Sequence, residues 1–154
     1  MRVPGLLVWP EVVLDSKVIT TPCSTSDFFP TILDILDISL EETESRPYDG
    51  ISLLPLIMGE VTDRPIPIAF ESKSQVALTD NRYKIYSGDG GSTYELYDLI
   101  EDPTESRNLA NQRPDLIAKM AEVLAEWRAS CERSNLGLDY LQSALSTQNI
   151  VVRK

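Results

Sequence analysis

Two cysteines are the strongest nucleophiles in this sequence, but neither has the neighbours that a nucleophile needs. Cys23 lies in the stretch PCSTSD and Cys131 in a predicted helix. A reactive thiol needs a base or a positive charge beside it, and the 154 residues contain no histidine. We therefore predict that Cys23 is a partly buried, inert thiol and that Cys131 belongs to the core. Their spacing fits no zinc site, and a single disulfide between them is possible but not predicted.

Carboxylates are the residues with which this sequence could hold a hard cation such as Ca²⁺. The candidates are Asp80, Asp89, Asp98, Glu101 and Asp102. All five lie along predicted turns, where aspartate is also an ordinary residue because its side chain accepts hydrogen bonds from turn amides. The sequence has no EF-hand pattern. It therefore favours turn-forming carboxylates over a cation site.

Two further patterns are typical of binding sites but have simpler explanations. The stretch Gly88-Asp89-Gly90-Gly91 is glycine-rich, but it lies between two predicted strands and does not open a helix, as a phosphate cradle would. We interpret it as a hairpin loop. Four tyrosines on consecutive strands are more typical of sheet surface and core than of a binding platform: Tyr83, Tyr86, Tyr94 and Tyr97.

The charge balance excludes one broad class of function. The chain has 14 basic and 24 acidic residues, a net charge of −10, which repels both nucleic acid and a phospholipid surface. Its longest apolar run, Gly5 to Trp9, has strand length and is far shorter than the ~20 residues that span a bilayer. No basic segment precedes an apolar one, so we predict no signal peptide in this chain, and its localisation stays open.

The elements that must position these residues form two groups. Over residues 1–62 the pattern predicts a partial α/β segment. Leu6-Leu7-Val8-Trp9, ended by Pro10, is typical of a strand that is buried on both faces, and Val18-Ile19 is a second, shorter extended candidate. Ser26 is the predicted N-cap of a helix over 27–38. Ser52 is predicted to begin a short helix over 53–58, which Gly59 ends.

Over residues 63–135 the pattern predicts an antiparallel sheet with a helix across one face, so the fold class is α+β. The four predicted strands are 66–71, 74–79, 83–87 and 94–99. Pro114 begins a helix over 114–133. Its apolar stripe should cover the sheet with Leu124 and Trp127 buried. Residues 136–154 form a tail, with a short helix predicted at about 140–145.

Five stretches, taken in order, resemble the C-terminal part of the sulfatase family, within the alkaline-phosphatase superfamily. They are RVPGLLVWP (2–10), SDFFPTILDILDI (26–38), DGISLLPLIMG (49–59), YKIY (83–86) and ELYDLIEDPTESRNLA (95–110). The resemblance covers about residues 2 to 135. It implies that 1–62 is a remnant of the large sulfatase α/β domain and that 63–135 is the C-terminal sulfatase subdomain. It also implies that Met1 is an internal position of a longer sulfatase.

The resemblance also implies where the chemistry lies. Sulfatases use a formylglycine made within a C/S-x-P-x-R motif, hold calcium with Asp and Asn, and contact sulfate through Lys and His. Neither cysteine here fits that motif, and no catalytic, cofactor-binding or metal-binding residue can be carried over. We expect a C-terminal sulfatase fragment without activity of its own and without a cofactor, since calcium belongs to the full-length family. Two alternatives stay open: a non-catalytic interaction module, or one chain of a split sulfatase whose partner supplies the nucleophile and metal site.

A partner is also implied. The strand at Leu6 to Trp9 resembles an interior strand of the sulfatase sheet, whose neighbours would lie in a missing N-terminal half. An unpaired strand edge and exposed apolar side chains favour association. We therefore expect a homo-oligomer, most simply a two-fold dimer, in which the N-terminal ~60 residues supply the interface. The missing catalytic half is the alternative partner.

Overall fold

A computed structural model describes residues 3–39 and 48–138 of the chain. The elements begin with a 3₁₀ turn (Thr25–Asp27) that leads into helix α1 (Phe28–Ile35), followed by helix α2 (Leu54–Met58). Four strands come next: β1 (Ile68–Ser72), β2 (Gln75–Thr79), β3 (Tyr83–Ser87) and β4 (Glu95–Asp98). Helix α3 (Pro114–Asn135) ends the described part. The predicted α+β fold class is confirmed.

The four strands form an antiparallel meander in the order β1-β2-β3-β4. The register places Leu78 opposite Ile85, and Ile85 opposite Leu96. Because side chains alternate between the two faces of a strand, these residues lie on one face, and all three are buried. The hairpin at Gly88–Gly91 is confirmed, with Gly90 and Gly91 at φ values of 78° and 101°. Such values favour glycine.

Helix α3 packs on this face of the sheet and closes the core. Met120 and Leu124 are buried against the strands, with Leu124 fully inaccessible to solvent. The helix ends two residues beyond the predicted residue 133. At 22 residues it is about 33 Å long, whereas strands of four or five residues span roughly 17 Å. The ends of the helix therefore extend past the sheet.

This difference in length corrects two predictions about the C-terminal half of α3. Trp127 packs against the core from its margin and is partly buried, not fully buried as predicted. Cys131, one turn further on, is also partly exposed instead of lying in the core. Both residues are on the side of the helix that faces the sheet, but they lie beyond its buried residues Met120 and Leu124.

The strand predicted at Leu6 to Trp9 is wrong for the structure of this chain. No strand is assigned among residues 3–39, so the candidate at Val18-Ile19 is not formed either. Leu6 is 92% exposed. A strand exists only where its backbone pairs with a neighbour, and these residues have no paired strand in the described part of the chain. The apolar run is therefore an irregular segment in which Leu6, Leu7 and Val8 are exposed and Trp9 is partly buried.

Helix α1 is shorter than predicted and has a different cap. It ends at Ile35 instead of 38, and Asp37 has a φ of 53°, which is incompatible with a continuing right-handed helix. Asp27, not Ser26, is the N-cap of α1. Ser24 caps the preceding 3₁₀ turn: its hydroxyl accepts from the Ser26 amide, and the Asp27 carboxylate accepts from the Ser24 amide. This is a capping box around the 3₁₀ turn.

Helix α2 begins one residue later than predicted. The hydroxyl of Ser52 accepts from the amide of Leu54, and Gly59 ends the helix in the left-handed conformation, as predicted. The short helix predicted at 140–145 lies outside the described residues. The domain division at 62/63 stays a prediction. Within residues 3–39 and 48–138, every helix is too short or too polar to cross a bilayer.

Candidate functional site

Four of the five predicted turn carboxylates accept hydrogen bonds from their own turns: Asp80, Asp89, Asp98 and Asp102. Asp89 accepts hydrogen bonds from the Ser87 hydroxyl, from the amides of Ser92 and Thr93, and from the Thr93 hydroxyl, at 2.7–3.0 Å. The bond from Ser87 and those from Thr93 lower the pKa of the Asp89 carboxyl far below its ordinary value. Asp89 is therefore fully engaged as a loop-forming acceptor.

The junction between β4 and α3 is built in the same way. One oxygen of Asp98 accepts from Arg82 at 2.7 and 2.9 Å, and the other accepts from the amides of Ile100 and Glu101. Asp102 accepts from the amide of Arg107 at 2.7 Å. The bond from Arg82 lowers the pKa of Asp98, and that from Arg107 lowers the pKa of Asp102. These carboxylates stabilise turns, as the sequence favoured.

No three acidic or cysteine side chains come together in a way that could hold a metal ion, within residues 3–39 and 48–138. Asp80 and Asp89 lie in two separate turns, and Asp98, Glu101 and Asp102 share the junction that follows β4.

Cys23 is an exposed thiol whose pKa is raised. Its Sγ donates to the carbonyl oxygen of Thr21 at 3.3 Å. Partial desolvation and the negative charge of Asp27 raise its pKa, and the positive charge of Arg64 offsets this only in part. A raised pKa leaves little thiolate at neutral pH, so the predicted inertness has a physical basis, although the side chain is more exposed than predicted.

The four tyrosines do not form one platform. Tyr83 and Tyr94 pack against the core beneath α3, whereas Tyr86 and Tyr97 alternate to the opposite face of the sheet. Their interpretation as sheet surface and core is confirmed. Two open grooves lie elsewhere. One, of about 220 Å³, lies between α3 and β2, and the other, of about 330 Å³, lies between residues 12–17 and α2. Neither contains a group of residues suited to catalysis.

The most developed polar site is one that the sequence did not reveal. Asp27 and Arg64 form a buried ion pair, with the two side chains 0% and 1% exposed. Each guanidinium nitrogen of the pair donates to a separate carboxylate oxygen, Nη1 to Oδ2 at 3.0 Å and Nη2 to Oδ1 at 3.2 Å. This two-point geometry gives a planar, well-oriented contact. We call Ser24, Asp27, Ile51 and Arg64 the Asp27 cluster.

The Asp27 cluster satisfies its own hydrogen-bonding groups. Besides the guanidinium, Asp27 accepts from the amides of Ser24 at 2.7 Å and Ile51 at 2.9 Å. Arg64 also donates to the carbonyl oxygens of Pro22 and Ile66. Among the described residues, no buried side-chain nitrogen or oxygen lacks a partner. A carboxylate engaged in this way cannot act as a base or bind a ligand without first losing structural bonds.

Electrostatics agree with a structural role. Burial raises the pKa of Asp27, but the bonds from Arg64 and from the amides of Ile51 and Ser24 outweigh that effect and hold the pKa below its ordinary value. Asp27 is therefore charged at neutral pH. Its charge is matched by Arg64, and the backbone of Arg64 is held in turn by the side-chain amide of Asn81 in the β2–β3 turn. The cluster thus ties the start of α1 to the sheet.

The sequence placed Asp27 only as the first residue of the helix predicted over 27–38 and gave Arg64 no role. The missing information is the pairing of residues that are 37 positions apart. Sequence position alone gives no sign of this pairing. The one local signal is that an acid lies three residues after a serine, as in a capping box.

Gly50 lets the backbone at residue 50 pack directly against the backbone of Ser26 and Asp27. A Cβ atom at Gly50 would lie 2.0 Å from the carbonyl oxygen of Ser26 and 2.8 Å from the amide nitrogen of Asp27. Both are backbone atoms that cannot rotate away. A side chain at this position would therefore push residue 51 from Asp27.

We expect Gly50→Ala to lower the free energy of unfolding by about 1–3 kcal/mol, the usual cost of forcing extra volume into packed structure. Gly5→Ala is the matched control, because a Cβ at Gly5 meets no atom within 4 Å. Urea denaturation of the two variants checks this. Equal stability of both variants would show that residues 26 and 50 do not touch.

Comparison with known proteins gives three informative relatives. The chain is 33% identical over 114 residues to a choline-sulfatase of Rhizobium meliloti, covering 71% of this chain. It is 30% identical over 141 residues to a Δ4,5-hexuronate-2-O-sulfatase of Bacteroides thetaiotaomicron, covering 83% of this chain. A solved structure of a Bacteroides thetaiotaomicron protein of glycosaminoglycan metabolism (BT33336S-sulf) aligns over 67% of this chain with a TM-score of 0.55 and 22% identity.

These matches cover only a small part of each relative. The chain spans 21% of the choline-sulfatase, 27% of the hexuronate sulfatase and 24% of the solved structure. No family model matches the chain. At 22% identity the solved structure supports the fold alone, and it agrees with the sheet and helix described above.

Proposed function

We propose that this chain, which is similar in sequence and in fold to sulfatases, serves as a structural, non-catalytic C-terminal part of a sulfuric ester hydrolase. The observation that carries the proposal is the extent of the match, which includes most of this chain but only about a quarter of each relative. The remaining three quarters of a relative has no counterpart here and is available to hold the catalytic groups.

The chemistry of this chain supports a structural role. The sequence has no histidine, and the carboxylates of Asp89, Asp98 and Asp102 accept hydrogen bonds within their own turns. The Asp27 cluster joins α1 to the sheet. Helix α3 packs on one face of the sheet and closes the core there. Such a unit contributes a rigid support to an enzyme, on which catalytic groups from another part can be positioned.

The reaction class is proposed, but not a particular ester. The relatives are named for different alcohols, choline in one and a hexuronate in another. Their shared feature is the sulfuric ester bond. We therefore assign the class of hydrolase and leave the alcohol unspecified.

The purified chain is expected to hydrolyse neither an aryl sulfate nor an aryl phosphate above background, with or without added calcium. That reaction requires a nucleophile, an activating base and metal ligands. Within residues 3–39 and 48–138, no group of His, Cys, Asp or Glu side chains could hold the metal ion. The measurement is release of the aryl alcohol at several protein concentrations. Turnover that copurifies with the chain and is lost in Cys23→Ala, but kept in Cys131→Ala, would refute the proposal.

A further inference from the structure

Aspartate is followed by glycine at two places in the sequence, Asp49-Gly50 and Asp89-Gly90. In such a pair the main-chain nitrogen of the glycine can attack the side-chain carboxyl carbon of the aspartate, because glycine has no Cβ to crowd the approach and its backbone adjusts easily. A bond forms between that nitrogen and Cγ, and a carboxyl C–O bond breaks. The oxygen leaves as water with the amide proton and the carboxyl proton, and the product is a cyclic succinimide.

Hydrolysis of the succinimide has two outcomes. Water that adds at Cγ restores aspartate, whereas water that adds at the main-chain carbonyl carbon leaves isoaspartate. In isoaspartate the main chain runs through Cβ and Cγ of the side chain, so it is one methylene longer. One water leaves and one returns, so the mass is unchanged and the conversion needs no other reagent.

The structure blocks this reaction at Asp89-Gly90. The Asp89 carboxylate is held by hydrogen bonds from the hydroxyls of Ser87 and Thr93 and from the amides of Ser92 and Thr93. The Gly90 amide donates to the carbonyl oxygen of Ser74 at 2.7 Å. Both reacting groups are therefore fixed in other contacts, which ring closure would have to break first.

Asp49-Gly50 has neither restraint. Among residues 3–39 and 48–138, the Asp49 carboxylate and the Gly50 amide have no hydrogen-bond or ion-pair partner. The fold also requires glycine at residue 50, because a Cβ there would lie 2.0 Å from the carbonyl oxygen of Ser26. The packing that requires glycine thus keeps the least hindered attacking nitrogen next to Asp49.

Isomerisation at Asp49 would act on the Asp27 cluster. Gly50 is buried, and the next amide, that of Ile51, donates to Oδ1 of Asp27 at 2.9 Å. Protein interiors are packed closely enough that one extra methylene displaces its neighbours. A main chain lengthened just before Gly50 therefore moves Gly50 from its contact with Ser26, and Ile51, which is joined to Gly50, loses its fixed position against Asp27.

We propose that Asp49 is a site of spontaneous aspartate isomerisation, that its isoaspartate product releases the Ile51 amide from Asp27, and that Asp89 is protected by its loop. The reacting dipeptide is the same at both places. The difference between them therefore comes from the hydrogen bonds of the folded chain. This inference is independent of the proposed function.

Incubation of the purified chain for several weeks at neutral pH and physiological temperature tests the site. A protease that cuts before aspartate but not before isoaspartate locates each conversion, which appears as a lost cut before residue 49 or 89. We expect conversion at Asp49 to be at least tenfold faster than at Asp89, because Asp89 and Gly90 must first give up their hydrogen bonds.

The unfolded chain and one variant are the controls. In concentrated urea the two aspartates should convert at similar rates, since the protecting bonds of Asp89 are lost. Asp49→Glu should reduce the isoaspartate of the folded chain, measured by enzymatic methylation, to background, because the larger ring from glutamate closes much more slowly. Equal conversion of Asp49 and Asp89 in the folded chain, or conversion of neither there when both convert in urea, overturns the proposal.

Hydrogen exchange tests the effect on the Asp27 cluster. The aged sample is separated chromatographically into its isomerised and unconverted fractions. The Ile51 amide should exchange faster in the isomerised fraction, whereas the Ile85 amide in β3 should exchange equally in both. Equal protection of Ile51 in the two fractions would show that the product leaves the bond to Asp27 intact, and that part of the proposal would then be wrong.

Discussion

Replacement of Arg64 by methionine is expected to lower the free energy of unfolding by about 3–5 kcal/mol, the cost of leaving a buried charge without its partner. Methionine keeps most of the length of the arginine stem but removes the guanidinium. Asp27, which is fully buried, then keeps only the amides of Ser24 and Ile51 as donors. Since small domains are stable by only about 5–15 kcal/mol, this is a large fraction of the total.

Arg64→Met should destabilise the N-terminal part of the chain more than the sheet and α3. The core between α3 and the sheet has its own packing, whereas the start of α1 depends on the Asp27 cluster. Hydrogen exchange of the amides of Ser24 and Ile51 should accelerate in Arg64→Met, while that of the Ile85 amide in the central strand β3 should change less. Urea denaturation gives the overall change in stability.

Arg82→Met is the matched control. Arg82 also contacts an aspartate with its guanidinium, at 2.7 and 2.9 Å, but its side chain is 47% exposed. An exposed ion pair contributes about 0–1 kcal/mol, so Arg82→Met should be nearly neutral by comparison. If Arg64→Met and Arg82→Met were equally stable, the Asp27 cluster would not hold the fold together.

The effect of Arg64→Met should depend on pH with a defined sign. The pKa of Asp27 is lower in the folded chain than its ordinary value of 3.8. A group with a depressed folded pKa contributes stability above its unfolded pKa and loses it as pH falls through the folded value. The unfolded pKa cancels when the two chains are compared, and burial raises the pKa of Asp27 once the guanidinium is removed. The difference in stability between the unchanged chain and Arg64→Met should thus shrink as pH falls from about 7 to about 3, because Asp27 is protonated more readily in the variant. Equal differences at pH 7 and pH 3 would contradict this.

Local patterns were sufficient for the sheet and for α3. Alternation of apolar and polar residues predicted β3 with the bounds found, and Pro114 predicted the start of α3. These signals work because they reflect which side of an element faces the core, and that side is set by sequence spacing alone. The turn carboxylates were predictable for the same reason, since Asp89 bonds residues within four positions of itself.

Long-range information is what the sequence lacked. The run at Leu6 to Trp9 has strand composition, but a strand also requires a partner, which the described part of the chain does not supply. The pairing of Asp27 with Arg64 depends on how residues 22–66 fold back on themselves. Trp127 has the right spacing for the core, but its burial depends on how far the sheet extends beneath α3.

Leu124→Ala is expected to destabilise the chain by about 2–5 kcal/mol, the range for removing a buried leucine side chain. Leu124 is 0% exposed and lies among the buried side chains of the sheet, Val76, Leu78, Ile85 and Leu96. Truncation to alanine removes these contacts and leaves a cavity that short, paired strands cannot readily close. Alanine is a slightly better helix former than leucine, so helix propensity cannot cause the loss.

Val123→Ala separates packing from helix propensity at the neighbouring position. Val123 is 41% exposed, so its truncation removes few core contacts, and replacing a β-branched residue by alanine in a helix is favourable by about 0.5 kcal/mol. We expect Val123→Ala to be neutral or slightly stabilising in urea denaturation, with the same denaturant slope as Leu124→Ala. If the two variants lost equal stability, α3 would be rotated from the orientation described here, and its buried side would not be the one that closes the core.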